Sequence, residues 1–152
     1  ITKVVKGGRR FAFSALVVVG NYSGSIGVGH AKAKQVPDAI KKATQTAKNS
    51  MYKIPLRESR TLHHDILSKD GACMVLFRTA ASGTGFIAGG PIRAICEVAG
   101  IKDVVAKSLG SSNPNNVLRA CLKGLKSQKT PKQISILRGK KISEITKSRA
   151  NT

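Results

Sequence analysis

The sequence predicts an α+β protein with two domains, a β-β-β-α unit followed by a β-β-α-β-α unit. Residues 11–20 (FAFSALVVVG) place apolar side chains at alternate positions, as a strand does, whereas apolar residues between Pro37 and Met51 recur at helical spacing. Residues 53–61 (KIPLRESRT) are polar and show no apolar period, which indicates a connection between domains. The predicted boundaries are 1–54 for the first domain, 62–130 for the second and 131–152 for a basic tail.

The first domain is predicted to open with a strand at residues 1–5 and a basic loop at residues 6–10. The strand at 11–20 and a glycine-containing strand at residues 26–32 form a hairpin, because residues 21–25 (NYSGS) favour a turn. The helix then starts at Pro37, since proline is favoured in the first helical turn. The side chains predicted to face the sheet are Val36, Ile40, Ala43, Ala47 and Met51.

The second domain is predicted to begin with a hairpin of strands at residues 62–67 and 72–79, joined by a turn at residues 68–71. A helix follows at residues 91–99, with a proline at its start and a glycine after its end. The next strand covers residues 104–109.

Asn113 and Pro114 predict the start of one more helix, as its cap and its first residue. The residues predicted to form its apolar face are Leu118, Cys121, Leu122 and Leu125. The tail after Thr130 is basic and weakly helical.

The charge of the chain predicts an anionic partner. Its 152 residues include 27 Lys and Arg against 7 Asp and Glu, a formal net charge of +20. Such a chain repels itself when it is compact, and a polyanion relieves that repulsion. Nucleic acid is the predicted partner, because no run of about 18 apolar residues is present to span a bilayer. The charge is spread over the chain, with 12 basic and 2 acidic residues in 1–60 and 15 and 5 in 61–152.

The sequence favours contact with RNA backbone rather than with stacked bases. RRFAF at residues 9–13 has some likeness to an RNA-binding aromatic motif, but Arg10 stands where that motif needs glycine. Aromatic residues make up 4% of the chain, too few for a stacking platform. On the predicted helix of the first domain, Lys41, Lys42 and Lys48 are candidates for phosphate contact, and Lys41 and Lys48 share one face.

Residues 83–90 (GTGFIAGG), here called the glycine loop, fit the dinucleotide pattern G-x-G-x-x-G/A, with Asp103 about 20 residues further on. Two features argue against a nucleotide site. Gly89 and Gly90 postpone the helix whose N-terminus should meet a pyrophosphate, and Asp103 precedes a strand instead of following one. The loop is therefore predicted to be a turn in which Gly83 and Gly85 supply unusual backbone angles.

Catalytic and metal chemistry have little support in the sequence. The acids are scattered, and no Ser or Cys lies in a nucleophile motif. Cys73, Cys96 and Cys121 lie far apart in apolar contexts and are predicted to be buried thiols. His63 and His64 are predicted to be structural, because adjacent strand residues point to opposite faces. We therefore expect no enzymatic activity, no cofactor and no metal.

Two long segments, residues 3–20 (KVVKGGRRFAFSALVVVG) and residues 83–120 (GTGFIAGGPIRAICEVAGIKDVVAKSLGSSNPNNVLRA), resemble small-subunit ribosomal protein five of the bacterial and organellar type. The resemblance covers nearly the whole chain and weakens after about residue 130. It implies a first domain similar to a double-stranded-RNA-binding module and a second domain with a left-handed β-α-β crossover, as in some small-molecule kinases.

The resemblance also implies a function. It places the chain in the small ribosomal subunit, bound to ribosomal RNA near the junction of body and head and close to the mRNA entry path. The expected protein neighbours are small-subunit proteins four and eight, and the expected effect is on decoding accuracy. The expected location is a ribosome of the bacterial cytoplasm or of the mitochondrial matrix, with no membrane contact.

Site residues follow from the resemblance and the charge pattern together. Gly83, Gly85 and Arg93 are expected at the contact with protein four, where accuracy is affected, and Ser111, Asn113 and Asn116 near protein eight or RNA. The expected RNA-binding residues, which begin with the loop from Lys3 to Arg10, are Lys3, Lys6, Gly7, Gly8, Arg9, Arg10, Ser23, Ser25, His30, Lys32, Lys34, Lys41, Lys42 and Lys48.

Two other functions stay open at this point. One is a free RNA-binding or RNA-remodelling protein outside the ribosome, which would use the same surfaces. The other is a nucleotide-binding enzyme of the related kinase-like fold.

Overall fold

The computed structural model describes residues 1–149 and shows a mixed α+β chain. The elements of the N-terminal part are β1 (Thr2–Val5), β2 (Gly8–Phe11), β3 (Phe13–Gly20), β4 (Ser25–Ala33), α1 (Val36–Asn49) and β5 (Tyr52–Lys53). Those of the remainder are β6 (Ile66–Asp70), β7 (Cys73–Thr79), β8 (Phe86–Ile87), α2 (Gly90–Ala99), β9 (Val104–Gly110), α3 (Pro114–Lys126), α4 (Pro131–Arg138) and α5 (Ile142–Thr146), followed by a 3-10 turn (Lys147–Arg149). Within residues 1–149, no helix has the length and apolar character needed to cross a bilayer.

Strands β1 and β2 form a separate antiparallel pair, here called the basic hairpin, in which Val5 lies opposite Gly8. The prediction of a loop at residues 6–10 and of one strand at 11–20 was therefore wrong. The two-residue turn at Lys6 and Gly7 lets the chain fold back immediately, and the strand signal continues across a break at Ala12. The backbone N–H of Ala12 donates to the carbonyl of Ile1 at 2.9 Å and closes the open end of the pair.

The sheet of the first domain has the order β3-β4-β5, so its third strand is β5 and not residues 1–5 as predicted. Helix α1 covers one face of it. Its buried stripe is Ala39, Ala43 and Ala47, whereas Val36 and Ile40 are 45% and 48% exposed, and Met51, beyond the helix, is 37% exposed.

A steric constraint explains why the predicted apolar face of α1 was partly wrong. A Cβ on Gly29 of β4 would collide with the carbonyl oxygen of Ala43, and one on Gly27 would collide with that of Ala47. The helix backbone thus lies directly on the strand backbone, where only alanine fits on the helix side. The larger Val36 and Ile40 are displaced to the flank of α1.

The second sheet has the order β6-β7-β9-β8, with β8 parallel to β9 and the other pairs antiparallel. Helix α2 connects the parallel pair. The first hairpin of this domain was predicted too early, since β6 starts at Ile66 and the turn is at Gly71 and Ala72. Ser68, predicted in the turn, is buried in β6, and its hydroxyl donates to the carbonyl of Ala120 at 2.6 Å.

The predicted ends of the helices in this domain are confirmed to within one residue. Gly100 ends α2 in the left-handed conformation at φ 78°. Asn113 caps α3, its Oδ1 accepting from the backbone N–H of Asn115 at 3.1 Å. Leu118, Cys121 and Leu125 are buried on α3 as predicted, and Leu122 is half-buried. The tail contains α4 and α5 within its described residues.

The two sheets belong to one hydrophobic core. Ile26 and Ile54 cluster with buried residues of the second sheet, α2 and α3. The tip of the β3-β4 hairpin rests on the C-terminal end of α2, where the backbone N–H groups of Tyr22 and Gly24 donate to the carbonyls of Val98 and Ala99, both at 2.9 Å.

An ion pair ties residues 57–61, between β5 and β6, to the glycine loop. Arg60 donates through Nη1 to Asp103 Oδ2 at 3.2 Å and to the carbonyl of Ala80 at 2.9 Å. The other oxygen of Asp103 accepts from the backbone N–H of Gly85 at 3.0 Å. The bond from Gly85 is the main reason why the pKa of Asp103 lies below its usual value, and Arg60 adds to that effect against the opposing effect of burial.

The depressed pKa makes stability depend on pH. Because the folded-state pKa of Asp103 lies below that of the unfolded chain, its carboxylate stabilises the fold above the unfolded pKa of about 4, and this contribution is lost as the pH falls through the folded value. We expect Asp103→Asn to unfold at a lower temperature than wild type near neutral pH, and the difference to narrow in acid. Thermal unfolding by circular dichroism across that range measures it.

Glu97→Gln is the matched control, since Glu97 is exposed on α2. Its melting temperature should equal that of wild type at every pH. If the melting temperature of Asp103→Asn stayed below that of wild type by the same amount in acid, the stabilisation could not be assigned to the charged carboxylate.

Candidate nucleic-acid interface

The basic hairpin presents cations on both of its faces. Lys3 lies opposite Arg10 and Val4 opposite Arg9, and directly opposed residues of an antiparallel pair share a face. Lys3 and Arg10 therefore occupy one face, Arg9 occupies the other, and Lys6 lies in the turn. All four side chains are exposed, and among residues 1–149 none of them pairs with a carboxylate. These charges are available to an external anion.

The glycines of the basic hairpin leave its turn open. A Cβ built at Gly7 or Gly8 would meet no other atom of the described residues within 4 Å, so that part of the chain leaves this backbone uncovered. An RNA phosphate can approach the main chain here as closely as the side chains.

The lysines of α1 form a second basic surface. Lys41 and Lys48 line one shallow cavity of about 480 Å³ on the helix together with Ile40 and Thr44, which confirms that the two lysines share a face. Lys42 is exposed outside this cavity. The half-exposed Ile40, displaced from the sheet, contributes the apolar part of the surface.

Strand β4 carries two further predicted residues near its C-terminal end, and a third follows the strand. The ring Nε2 of His30 lies 2.6 Å from the hydroxyl of Ser14, and Lys32 lies opposite Ser14 in the sheet register. Both belong to the sheet face that α1 does not cover, and Lys34 is exposed just beyond the strand. This group lies next to the point where the basic hairpin joins β3.

Ser23 and Ser25 lie away from those cations, at the other end of β3. Their backbone N–H groups donate to Asn21 Oδ1 at 2.9 and 3.1 Å, so the Asn21 side chain holds the turn closed. The eight residues of β3 separate this turn from the basic hairpin by about 26 Å, since a strand rises about 3.3 Å per residue. The structure thus does not bring these two serines together with the hairpin.

The glycine loop has the backbone geometry that the sequence predicts. Gly83 and Gly85 have φ of 89° and 73°, values that favour glycine. Asp103 is engaged by Gly85 and Arg60, which leaves it unsuited to hold a ribose. The guanidinium of the exposed Arg93 lies 5.0 Å from the ring centroid of Phe86, so the two side chains form one surface.

The polar segment before α3 is partly committed to its own structure. Ser111 Oγ accepts from the backbone N–H of Asn113 at 3.2 Å, and Asn113 caps the helix. Asn116 is half-buried on the first turn of α3. These residues position the helix, and the exposed remainder of their side chains can contact a neighbour.

Sequence reasoning missed the basic residues of α3. Arg119, Lys123 and Lys126 are all exposed, at spacings of four and three residues. That spacing places them on one stripe of a helix and could have been found from the sequence. The stripe was overlooked because the apolar face of α3 was the stronger signal.

The cysteines and the pair His63 and His64 are engaged within the fold. Cys73, Cys96 and Cys121 are buried free thiols as predicted, and burial raises the pKa of Cys96 to about 12 and also raises that of Cys121. His64 accepts at Nε2 from the backbone N–H of Lys129 at 3.1 Å, and burial is the main cause that lowers the pKa of His63. No cluster of three potential metal ligands occurs within residues 1–149.

Comparison with known proteins matches both halves of this fold to one family. Residues 1–55 match "Ribosomal protein S5, N-terminal domain" and residues 68–138 match "Ribosomal protein S5, C-terminal domain". These two ranges cover the basic hairpin, the α1 surface, the glycine loop and α3.

Individual relatives agree along nearly the full length. "Small ribosomal subunit protein uS5" of Pelagibacter ubique is 64% identical over 149 residues, which are 98% of this chain and 88% of the relative. The proteins of the same name from Dinoroseobacter shibae and Caulobacter vibrioides are each 56% identical, over 97% and 99% of this chain and 77% and 75% of their own lengths. With both domain families matched in order and identity this high, the chain belongs to the ribosomal protein S5 family.

Proposed function

We propose that this chain is a non-catalytic structural component of the small ribosomal subunit that binds small-subunit ribosomal RNA. The observation that carries the proposal is the basic hairpin, whose four exposed cations have no carboxylate partner among the described residues. Membership of the ribosomal protein S5 family, and relatives named as small-subunit proteins, support the same assignment.

The chemistry of attachment is electrostatic and follows the RNA backbone. Each Lys or Arg that meets a phosphate releases condensed counterions, so affinity is high at low salt and falls steeply as salt rises. Because the cations sit on a pre-folded hairpin and on helix α1, they recognise a given arrangement of phosphates rather than a base sequence. Folded RNA presents such an arrangement and unstructured RNA does not.

The finer placement belongs to the same proposal. We place the chain near the junction of body and head, beside the mRNA entry path, with the basic hairpin against RNA of the neck. The glycine loop and Arg93 then face small-subunit protein four, and the segment from Ser111 to Asn116 faces protein eight or RNA. Through the contact with protein four the chain supports decoding accuracy. An exposed loop with Arg93 over Phe86 offers the surface that such a contact requires.

The proposed location is the ribosome of the bacterial cytoplasm, since the similar relatives named above come from bacteria. A mitochondrial ribosome is the second location that the sequence suggests.

Charge reversal in the basic hairpin tests the RNA contact. In Arg9→Glu/Arg10→Glu each change replaces a phosphate-binding cation by an anion that phosphate repels, so we expect the variant to be lost from small subunits. Sucrose-gradient fractionation of cells that express the variant measures the comigrating fraction. The control Lys102→Glu/Lys107→Glu changes the net charge equally, at exposed positions of the second domain, and should comigrate like wild type.

Equal comigration of the hairpin variant and the control would contradict the proposed RNA contact. Wild-type protein that bound RNA but sedimented apart from small subunits would instead favour a free RNA-binding protein outside the ribosome.

Arg93 tests the proposed role in accuracy. The side chain is exposed and contacts only the Phe86 ring among the interactions seen in residues 1–149, so Arg93→Leu should leave the melting temperature close to wild type. We expect it to change the frequency of misreading in a reporter assay, because it alters the surface offered to protein four. Arg78→Leu, an exposed arginine on β7, is the matched control. Misreading equal to that of wild type in the Arg93 variant would refute this role.

A further inference from the structure

A groove runs between the first-domain sheet and helix α3, and we call it the interdomain groove. One half is a cavity of about 410 Å³, and the other is a cavity of about 370 Å³ that shares Val28, Arg119 and Leu122 with it. The first half is also lined by Leu16, His30 and Asn115. The second half is also lined by Ser50, Tyr52, Lys123 and Lys126.

The register of the sheet and the phase of the helix together create this groove. Leu16 lies opposite His30 and Val18 opposite Val28, on the sheet face that α1 leaves open. Helix α3 buries Leu118, Cys121 and Leu125 in the core of the second domain. Its remaining stripe, which includes Arg119 and Lys123, therefore borders the open face of the sheet.

The groove is basic along its length. Among residues 1–149, no acidic residue lines either half. Arg119 is exposed and pairs with no carboxylate within residues 1–149. Lys123 Nζ donates to the carbonyl of Lys69, at 3.2 Å, and Lys126 Nζ lies 3.6 Å from the ring centroid of Tyr52. Three cations thus follow one another over about 10 Å of helix at 1.5 Å per residue.

The groove also continues from the basic hairpin. The hairpin joins the sheet at Ala12, and Ser14, two residues further on, contacts His30, which lines the first half of the groove. Lys32, opposite Ser14, lies between the two surfaces. Lys32 and His30 therefore lie between the cations of the basic hairpin and Arg119 of the groove.

We propose that the interdomain groove binds the sugar-phosphate backbone of a single RNA strand that continues from the basic hairpin. This inference rests on the proposed function as a ribosomal RNA-binding protein. Charge complementarity along both halves of the groove selects a polyanion.

The lining determines which part of the strand is in contact. Lys126 covers one face of the Tyr52 ring, and the half-buried ring also packs against the core, so it is poorly placed for base stacking. Arg119 and Lys123 are placed for phosphates, whereas Leu16, Val28 and Leu122 form an apolar floor suited to ribose carbons. Binding is therefore expected to be independent of base sequence and dependent on salt.

Removal of two groove charges tests the proposal. Arg119→Gln/Lys123→Gln keeps good helix-forming residues at exposed positions of α3, so the variant should fold, which its melting temperature checks. The control Lys102→Gln/Lys107→Gln removes the same net charge outside the groove. The full-length chains are titrated with a transcript of the small-subunit ribosomal RNA over a series of salt concentrations.

For a single strand, each phosphate that the protein neutralises contributes about −0.7 to the slope of log affinity against log salt. The groove variant, which lacks two cations, should therefore have a slope shallower by about 1.4. The control should keep the wild-type slope. A groove variant with the slope of wild type would overturn the proposal even though the chain still binds RNA. If wild type itself failed to prefer ribosomal RNA over unstructured RNA, the proposed function and this inference would both fall.

A different occupant of the interdomain groove would give a different result in these experiments. If the groove variant kept the wild-type slope on naked RNA but failed to enter small subunits, the occupant would be an acidic segment of a neighbouring protein, and the RNA proposal would be wrong.

Discussion

The structure depends on the contact between the tip of the β3-β4 hairpin and the C-terminal end of α2. Gly100 stands in the left-handed conformation there, and a Cβ at this position would collide with the carbonyl of Tyr22. Two backbone hydrogen bonds from Tyr22 and Gly24 complete the contact. Because the domains meet backbone to backbone, with a shared core behind them, the glycine loop and the interdomain groove keep fixed relative positions.

Holding many cations in fixed positions raises the electrostatic free energy of the protein. An RNA-binding protein lowers it again when phosphates neutralise those cations. The chain carries 27 basic residues and only 7 acidic ones, so most of its charge cannot be neutralised internally. Within residues 1–149, Glu58 and Asp103 form ion pairs with Arg57 and Arg60 and thereby anchor the segment between the domains and the glycine loop. In the function we propose, an external polyanion neutralises the cations of the hairpin, α1 and α3, which explains how so basic a chain supports a compact fold.

Local signals predicted the second domain better than the first. Pro91, Gly100, Asn113 and Pro114 mark helix ends through backbone chemistry, and those ends were found almost to the residue. The pairing of β1 with β2 and the choice of β5 as the third strand depend on contacts between distant residues that no local pattern records. The choice of the buried face of α1 has the same origin, since it depends on the close approach of Ala43 and Ala47 to Gly29 and Gly27 of β4. Among site residues, the hairpin cations were predictable from charge, but the α3 stripe becomes a surface only once the sheet lies opposite it.

The central claim is that a rigid two-domain body presents unpaired cations to the backbone of folded ribosomal RNA. A cryo-EM map of small subunits that contain this chain tests it most directly, since the map shows each side chain and its neighbour. The account predicts that the Lys3, Arg9 and Arg10 side chains lie within hydrogen-bonding distance of RNA phosphates, with the domains in the relative orientation described above. A basic hairpin that faces solvent in the assembled subunit, or domains that have separated, would contradict it.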